Sequence, residues 1–385
     1  MIFVFALFLQ VWRELEFEVP KAGEAGSGWP LLSVIAAAVV AAGLVVMLRK
    51  SRRNYMALPE VPVSDGPVDG EVTVIVPARN EERNIERCVK SLRGSRVIVV
   101  DDQSKDRTAQ LAAAAGAEVM AAPRLLKGQL GKPNACQTGA KAADTRYVLF
   151  ADADTWYDPR YLPSMVRYAD ENQFFLVSPF LKQECVTLFE KMLIPYAFGL
   201  YFSGVNAANV QNFLHPETLA NGQSMLFLRQ PYEFVGGHNS VMNSVIEDVA
   251  LAARVKRHRM KLQIVRAEHL GKVRMYDSLG AIWKGFRKNS FKFLQANRKS
   301  GLQVMLTSIL LTSVLPVMIW LALDGQYWMI GLLALLVPYL FAPWYGGVFR
   351  ALLSLPAIYI FQLIALDGMA ATTFGRKTDW KGRKV

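Results

Sequence analysis

The hydrophobic pattern changes rhythm three times along the chain. Within "WPLLSVIAAAVVAAGLVVMLRKSRR" an uncharged run from Leu31 to Leu48 is long enough for one helix to cross a bilayer. From Glu71 onward, short β-branched runs alternate with stretches of helical spacing. "VTVIV" (72–76), "VIVVD" (97–101), the shorter "AEVMAA" and "YVLFA" (147–151) read as buried strands. Between them, "NEERNIERCVKSL" puts Ile85, Cys88, Val89 and Leu92 on one helical face, "DRTAQLAAAAG" is a helix closed by Gly116, and "KPNACQTGAKAA" is another. Strand and helix in alternation predict an α/β fold, a mostly parallel sheet covered on both faces. After Gly301 the chain turns apolar again in "LQVMLTSILLTSVLPVMIWLAL" and "YWMIGLLALLVPYLFAPWYGGVF". A weaker run follows from Ala351 to about Ala371, containing Pro356 and Asp367.

This rhythm predicts an N-terminal membrane anchor over 1–53 with its span at about 31–48, and a soluble domain over 54–300 that ends in an interfacial helix. Two or three C-terminal membrane segments over 301–371 and a basic tail over 372–385 complete it. The opening "MIFVFALFLQ" lacks a basic leader and a small-residue cleavage site, so it reads as lying at the membrane surface, not as a signal peptide. Arg49, Lys50, Arg52 and Arg53 directly follow the first span, and the positive-inside rule places the soluble domain in the cytoplasm of a cell-membrane protein. The tail "GRKTDWKGRKV" asks for the same side and hence for an even number of C-terminal crossings. Hydropathy offers two strong segments and a weak third that reads as re-entrant or interfacial.

Net charge of +12 sharpens the membrane reading, because much of it lies beside apolar segments, in "RVKRHRMK", "WKGFRKNSFKF" and the tail. That distribution favours anionic headgroups or a phosphate-rich small substrate, with no nucleic acid as partner. Cys88, Cys136 and Cys185 are odd in number and widely spaced, as expected of buried thiols in a reducing compartment.

The polar residues collect at strand ends. Pro77, Ala78, Arg79, Asn80 and Glu81 follow the first strand, Asp101 and Asp102 the second, Asp152 and Asp154 the fourth. Ligands of such sheets bind at the carboxyl ends of the strands. "PARNEE" has no glycine, which argues against a dinucleotide site. "FADADT" taken alone stands open between a polar turn and a divalent-metal site.

In order along the chain come "VTVIVPARNEE", "VIVVDDQSKDRT", "GKPNACQTGA", "LFADADT", "GGHNSVMNSVIEDVALA" and "VRMYDSLGAIWKGFRKN". With these motifs, roughly residues 71 to 300 resemble the family 2 glycosyltransferases. The likeness is to the membrane-anchored bacterial branch that includes carotenoid- and hopanoid-associated enzymes. The resemblance implies a GT-A fold, a nucleotide-binding α/β half followed by an acceptor-binding half. It implies a nucleotide-diphospho-sugar donor, with UDP favoured, cradled by Pro77, Ala78, Arg79, Asn80, Glu81 and Asp102, with Lys132 on phosphate or ribose. Asp154 and Asp152 match the family's DXD-type pair for Mg2+ or Mn2+, which take carboxylate and phosphate oxygens together. Asp248 matches the base of an inverting transfer, and Glu247 beside it would raise its pKa by like-charge repulsion. Asp106 reads as a helix cap.

Gly222, Gln223 and His238 fall where the acceptor is expected, although a histidine in that loop can equally be held by backbone. Two readings stand for Arg274, Tyr276, Trp283, Arg287 and Lys288: closure over the diphosphate or contact with lipid, and a basic interfacial helix leading into the next span. The Gln-x-x-Arg-Trp motif of processive relatives is absent. The reaction so implied moves one sugar to a lipid-borne acceptor at the cytoplasmic membrane face. A processive polysaccharide synthase and a non-catalytic nucleotide-sugar-binding scaffold are the alternatives, the second opposed by the intact set Asp102, Asp152, Asp154 and Asp248. The apolar stretch 188–205 reads either as a membrane-facing acceptor entrance or as a core helix.

Overall fold

A computed structural model describes residues 29–68, 70–296, 298–373, 379–380 and 383–384, with side chains described at 31–68, 70–287 and 301–371. The expected surface-lying stretch 1–10 and the side chain of Lys288 lie outside the described residues.

Ten strands build the domain between the first and second membrane segments: β1 (Val72–Ala78), β2 (Arg96–Asp101), β3 (Glu118–Ala121), β4 (Tyr147–Ala151), β5 (Thr155–Tyr157), β6 (Leu176–Phe180), β7 (Lys182–Gln183), β8 (Ser224–Leu228), β9 (Leu262–Arg266) and β10 (Gly271–Val273). The large sheet runs β3-β2-β1-β4-β8-β6-β9 and a small one β5-β10-β7. The expected parallel half is there: β1 pairs in parallel with β2 and β4, and β2 with β3. Alternate residues of β1 face opposite cores. Val72, Val74 and Val76 meet Ile85, Cys88 and Val89, whereas Ile75 meets Ala135, Cys136 and Ala140. Burial on both sides is why these strands read as unbroken apolar runs.

The second half departs from a purely parallel plan. β8 inserts antiparallel between β4 and β6, in a register that sets Ala151 opposite Ser224. That pairing carries Gly222 and Gln223 to the end of β4, where the Asp152 N–H donates to the Gln223 carbonyl at 3.0 Å.

Among the described residues, four helices are long and apolar enough to cross a membrane: Leu31–Met56, Gly301–Leu323, Tyr327–Tyr345 and Val348–Ala371. Lys50 Nζ donates to Gln303 Oε1 at 2.9 Å, and a Cβ on Gly43 would stand 2.8 Å from Leu310, so the first two run antiparallel. The third ends beside the soluble domain, where the Tyr345 hydroxyl donates to the Met192 carbonyl at 2.6 Å. On the last, Tyr359 accepts from Leu315 N, Gln362 donates to Ser308 Oγ, and Asp367 accepts from Trp283 Nε1. Rising numbers there meet falling numbers on Gly301–Leu323, so this helix runs back toward the helix Leu279–Ala296.

The apolar stretch 188–205 is a helix, Leu188–Gly204, started by a capping box between Thr187 and Glu190. Met192, Leu193, Tyr196, Ala197 and Leu200 join the core of the membrane helices, while Phe202 joins the core of the sheet. Ser51 and Asn54 donate to its Gly199 and Phe202 carbonyls, fixing the first membrane helix to it.

Helix Gly131–Ala142 lies flat on β1 and β2 because Gly139 has no side chain. A Cβ there would stand 2.6 Å from Ile75 and 3.0 Å from Val100. Gly139→Ala should therefore destabilise the domain by about 1–3 kcal/mol, the usual cost of overpacking. The check is the thermal unfolding midpoint, which should fall clearly below that of the unsubstituted protein.

Candidate active site

The loops after β1 and β2 are sewn together. The Asn80 N–H donates to Ser104 Oγ at 2.9 Å, Lys105 N donates to Asn80 Oδ1 at 2.8 Å, and Glu81 N donates to Thr108 Oγ1 at 2.7 Å. Arg79 donates to the Asp102 carbonyl, and Asp102 N to the Ala78 carbonyl at 2.8 Å. To make this turn Asn80 and Gln103 adopt left-handed backbone, which asparagine tolerates better than most residues. Asp102 is 5% exposed at the floor of the resulting crevice. Asp106 accepts from Thr108 N at 3.0 Å just before the following helix, whose N-cap position is Arg107.

At the end of β4 the carboxylates gather round one ammonium. Lys132 Nζ lies 2.7 Å from Asp152 Oδ1 and 3.0 Å from Glu247 Oε1, and donates to the Gly222 carbonyl at 3.2 Å. Burial works against its charge, but Asp152 and then Glu247 outweigh it and hold Lys132 well above the ordinary ammonium pKa. One cation thus links the β4 end to the first turn of the helix Glu247–Arg257. Among the described residues no three His, Cys, Asp or Glu side chains gather tightly enough to hold a metal by themselves. Two hard carboxylates, Asp152 and Asp154, fit a cation that completes its shell with phosphate oxygens and water, as Mg2+ usually does.

Asp248 sits next along that helix. Its Oδ2 accepts from Gly222 N and its Oδ1 from Val249 N, both at 2.8 Å. Burial first, and the neighbouring Glu247 charge second, push its carboxyl up to about 6, against the pull of Lys132 and the two N–H donors. A carboxylate poised there can take a proton near neutral pH. Tyr201, from the apolar helix Leu188–Gly204, feels the charge of Asp248, which adds to the upward push that burial gives its phenol.

Several expected residues are placed differently. Arg274 is held by a bidentate ion pair to Glu190, Nε at 2.8 Å and Nη2 at 3.2 Å, while its own N–H donates to the Asp154 carbonyl at 3.1 Å. Burial opposes the Glu190 charge, but Arg274 and the Thr187 donors keep its carboxyl below the ordinary value. Tyr276 tucks its hydroxyl against Gly285 and lies within the electrostatic reach of Asp154. Trp283 and Arg287 point away from the crevice to Asp367, at 2.8 and 3.4 Å. His238 lies in the interior. It is 2% exposed, its Nδ1 pairs with the Tyr232 hydroxyl at 2.8 Å and its ring meets Phe150 edge to face, with a pKa lowered to about 3 by burial and then by Lys132. Gln223 accepts from Gln183 at 3.3 Å and Asn221 at 3.1 Å. Cys88 and Cys136 are buried and Cys185 half-buried, all three as free thiols.

A family model described as Glycosyl transferase family 2 matches residues 73–235. Over those residues the chain is similar to the family 2 glycosyltransferases. It is 30% identical over 230 residues to a 4,4'-diaponeurosporenoate glycosyltransferase of Staphylococcus haemolyticus, covering 56% of this chain and 59% of that protein. It is 25% identical over 233 residues to the Staphylococcus aureus protein of the same name, covering 57% of this chain and 60% of that one. The chain thus spans about three fifths of the length of these relatives. Among solved structures it is similar to a mannosyltransferase from Pyrobaculum calidifontis in complex with GDP-Man and Mn2+. The match has a TM-score of 0.53 and 15% identity, over 91% of this chain and 100% of that one. That likeness carries the fold, GT-A, as the sequence motifs implied.

Residues that sequence reading passed over also converge here: Glu190, Tyr201 and Gln183. The Thr187-x-x-Glu190 spacing signals a capping box but not the second partner, Arg274. A tight constraint lies at Gly222, where a Cβ would stand 3.0 Å from Asp248 Oδ2 and 3.2 Å from its Cβ. Gly222→Ala in the glycosyltransferase domain should displace Asp248 by a few tenths of an ångström and lower kcat about tenfold, because misplaced groups lose rate steeply. Steady-state kinetics should show the donor KM little changed.

Proposed function

We propose that the protein is an inverting glycosyltransferase moving one sugar from a nucleotide-diphospho-sugar to a lipid-borne oxygen at the cytoplasmic face of the cell membrane. The observation that carries this reading is Asp248, enclosed, raised to about 6 and joined through Glu247 and Lys132 to the strand-end carboxylate Asp152. Asp102 and the loop Pro77–Glu81 line the crevice where the nucleoside would lie, and Lys132 stands where a diphosphate would meet a positive charge. Asp154 with Asp152 would hold Mg2+ or Mn2+, whose contribution is to neutralise the departing diphosphate. The Mn2+ in the Pyrobaculum complex supports that assignment. In the transfer, Asp248 takes the proton of an acceptor hydroxyl, the hydroxyl oxygen bonds to the anomeric carbon, and the bond to the nucleoside diphosphate breaks on the opposite face. The sequence motifs favour UDP as the nucleotide, so UDP should compete with donor better than GDP.

The membrane arrangement supports an acceptor delivered from lipid. Tyr345 and Asp367 both lie beside the soluble domain or its interfacial helix, so we read Val348–Ala371 as entering and leaving on one side. This gives two full C-terminal crossings plus a re-entrant segment, and it satisfies the basic tail that hydropathy alone left in conflict.

Asp248 must be ionised to act, so kcat/KM should fall about tenfold per pH unit below about 6 and level off above it. Removing the Glu247 charge leaves Lys132 to act on Asp248 alone, so Glu247→Gln should move this limb to lower pH. Asp248→Asn should cost at least about a hundredfold in turnover. A flat profile with full turnover by Asp248→Asn would instead indicate an acceptor that needs no base, such as the carboxylate named in the staphylococcal relatives. EDTA and Asp154→Asn should each abolish donor turnover.

The topology has its own check. A reporter fused after residue 385 should be accessible from the same side as one inserted in the exposed turn at Gly128. Opposite accessibility would rule out the re-entrant reading.

A further inference from the structure

Where the soluble domain meets the membrane helices, a cleft of about 360 Å³ opens outside the donor crevice. Its walls come from both worlds. Arg52 and Tyr55 belong to the cytoplasmic end of the first membrane helix, Trp344 to the end of the third, Phe198 to the apolar helix Leu188–Gly204, and Lys182 and Gln183 to β7. That mixture places the cleft at headgroup level, where basic and aromatic side chains collect in membrane proteins.

The charge in the cleft is unbalanced. Arg266 is satisfied by Glu60 at 3.1 Å, and Glu268 acts on the Tyr55 hydroxyl. Neither Arg52 nor Lys182 has a carboxylate within ion-pair distance among the described residues. Arg52 is instead held between rings, 5.9 Å from the Tyr55 centroid and 5.8 Å from that of Trp344. A guanidinium fixed on two aromatic faces keeps its N–H edge for an anion. The volume suits a headgroup with its glycerol, at the small end of ligand sites. The exposed side chain of Met56, which lines it, suits the first carbons of an acyl chain.

We propose that this cleft, between Arg52, Lys182 and Trp344, binds the phosphodiester headgroup of an anionic bilayer phospholipid. The site is separate from the donor crevice and does not rest on the identity of the sugar acceptor. It is coupled to that crevice by one side chain: Gln183 lines the cleft and donates to Gln223, whose carbonyl holds the Asp152 N–H. A bound headgroup would therefore steady the loop that carries Gly222 and Gln223.

The test is native mass spectrometry of the full chain released from vesicles of phosphatidylcholine and phosphatidylglycerol in equal amounts. The unsubstituted protein should keep one phosphatidylglycerol in preference to phosphatidylcholine. The pair Arg52→Gln and Lys182→Gln should weaken that retention about five- to tenfold, as expected for two half-exposed charge contacts. The charge-keeping pair Arg52→Lys and Lys182→Arg should retain most of it. Unchanged unfolding midpoints and unchanged UDP binding would show that the glutamine pair is folded, and loss of UDP binding by the unsubstituted protein would count against the donor assignment alone. Retention of phosphatidylglycerol that ignores the glutamine pair would overturn the proposal. Displacement of the lipid by millimolar inorganic phosphate would overturn it too, because the cleft would then be a site for a free anion.

Discussion

The proposed donor crevice depends on Lys132. Asp152 and Glu247 are carboxylates drawn together by the fold, and Asp248 is the immediate neighbour of Glu247. Without a cation among them, burial and mutual repulsion would protonate the group and pull the end of β4 away from the helix that starts at Glu247. A lysine in the first turn of a helix works against the macrodipole, so local structure gives no reason for it. Its reason is long-range. The ammonium bonds two carboxylates and one carbonyl from three separate segments, at Asp152, Gly222 and Glu247, and desolvation is outweighed because each of those contacts is within 3.2 Å. In the proposed reaction the cluster would set both where the diphosphate meets positive charge and how firmly Asp248 is seated.

The same logic, with opposite signs, ties the membrane helices to this cluster. Glu190 is nearly fully buried at the start of the helix Leu188–Gly204, and accepts from Val186 N, Thr187 N and Arg274. Arg274 in turn steadies the Asp154 backbone. A buried carboxylate on its own would be costly, but one that receives two N–H groups and a bidentate guanidinium is compensated. The helix that packs against the membrane segments is thereby linked through two side chains to the backbone of Asp154, a proposed metal ligand. Asp367 repeats the device at the other end, fixing Trp283 and Arg287 of the helix Leu279–Ala296 to the last membrane segment. Those two residues are anchors because a carboxylate in an apolar segment needs donors more than the diphosphate does.

What the sequence made legible follows from how local each signal is. β1 and β4 were readable almost to the residue because buried parallel strands are continuous apolar runs, and the acidic and amide groups that follow them fall at their carboxyl ends. β8 was not read. Its five residues look like any short apolar run, and only pairing with β4 and β6 makes it the strand that delivers Gly222 to Asp248. His238 was ambiguous for a similar reason: a histidine in a glycine-rich loop shows no sign of burial until Gly237 adopts φ +49 and packs the turn onto Tyr232. Hydropathy left the number of C-terminal crossings open, because the direction of Val348–Ala371 depends on contacts with Leu315, Ser308 and Trp283 that no hydropathy profile contains.

These links explain why a chain with ordinary GT-A motifs also carries so much apolar sequence. Asp248, the proposed base, is not seated by its own helix alone, since it accepts from the Gly222 N–H, and Gly222 is carried on a loop whose neighbour Gln223 is held by Gln183. Gln183 belongs to β7, only five residues before the apolar helix Leu188–Gly204 that the membrane segments clasp. A displacement of that helix relative to the sheet would travel through β7 to Gln223 and then to the donor on Asp248. Soluble GT-A domains can rely on a rigid core for that alignment, whereas here the alignment runs through residues packed against membrane helices. The membrane segments are in that sense part of the active-site scaffold as well as an anchor, because the polar contacts that orient the base begin at their surface.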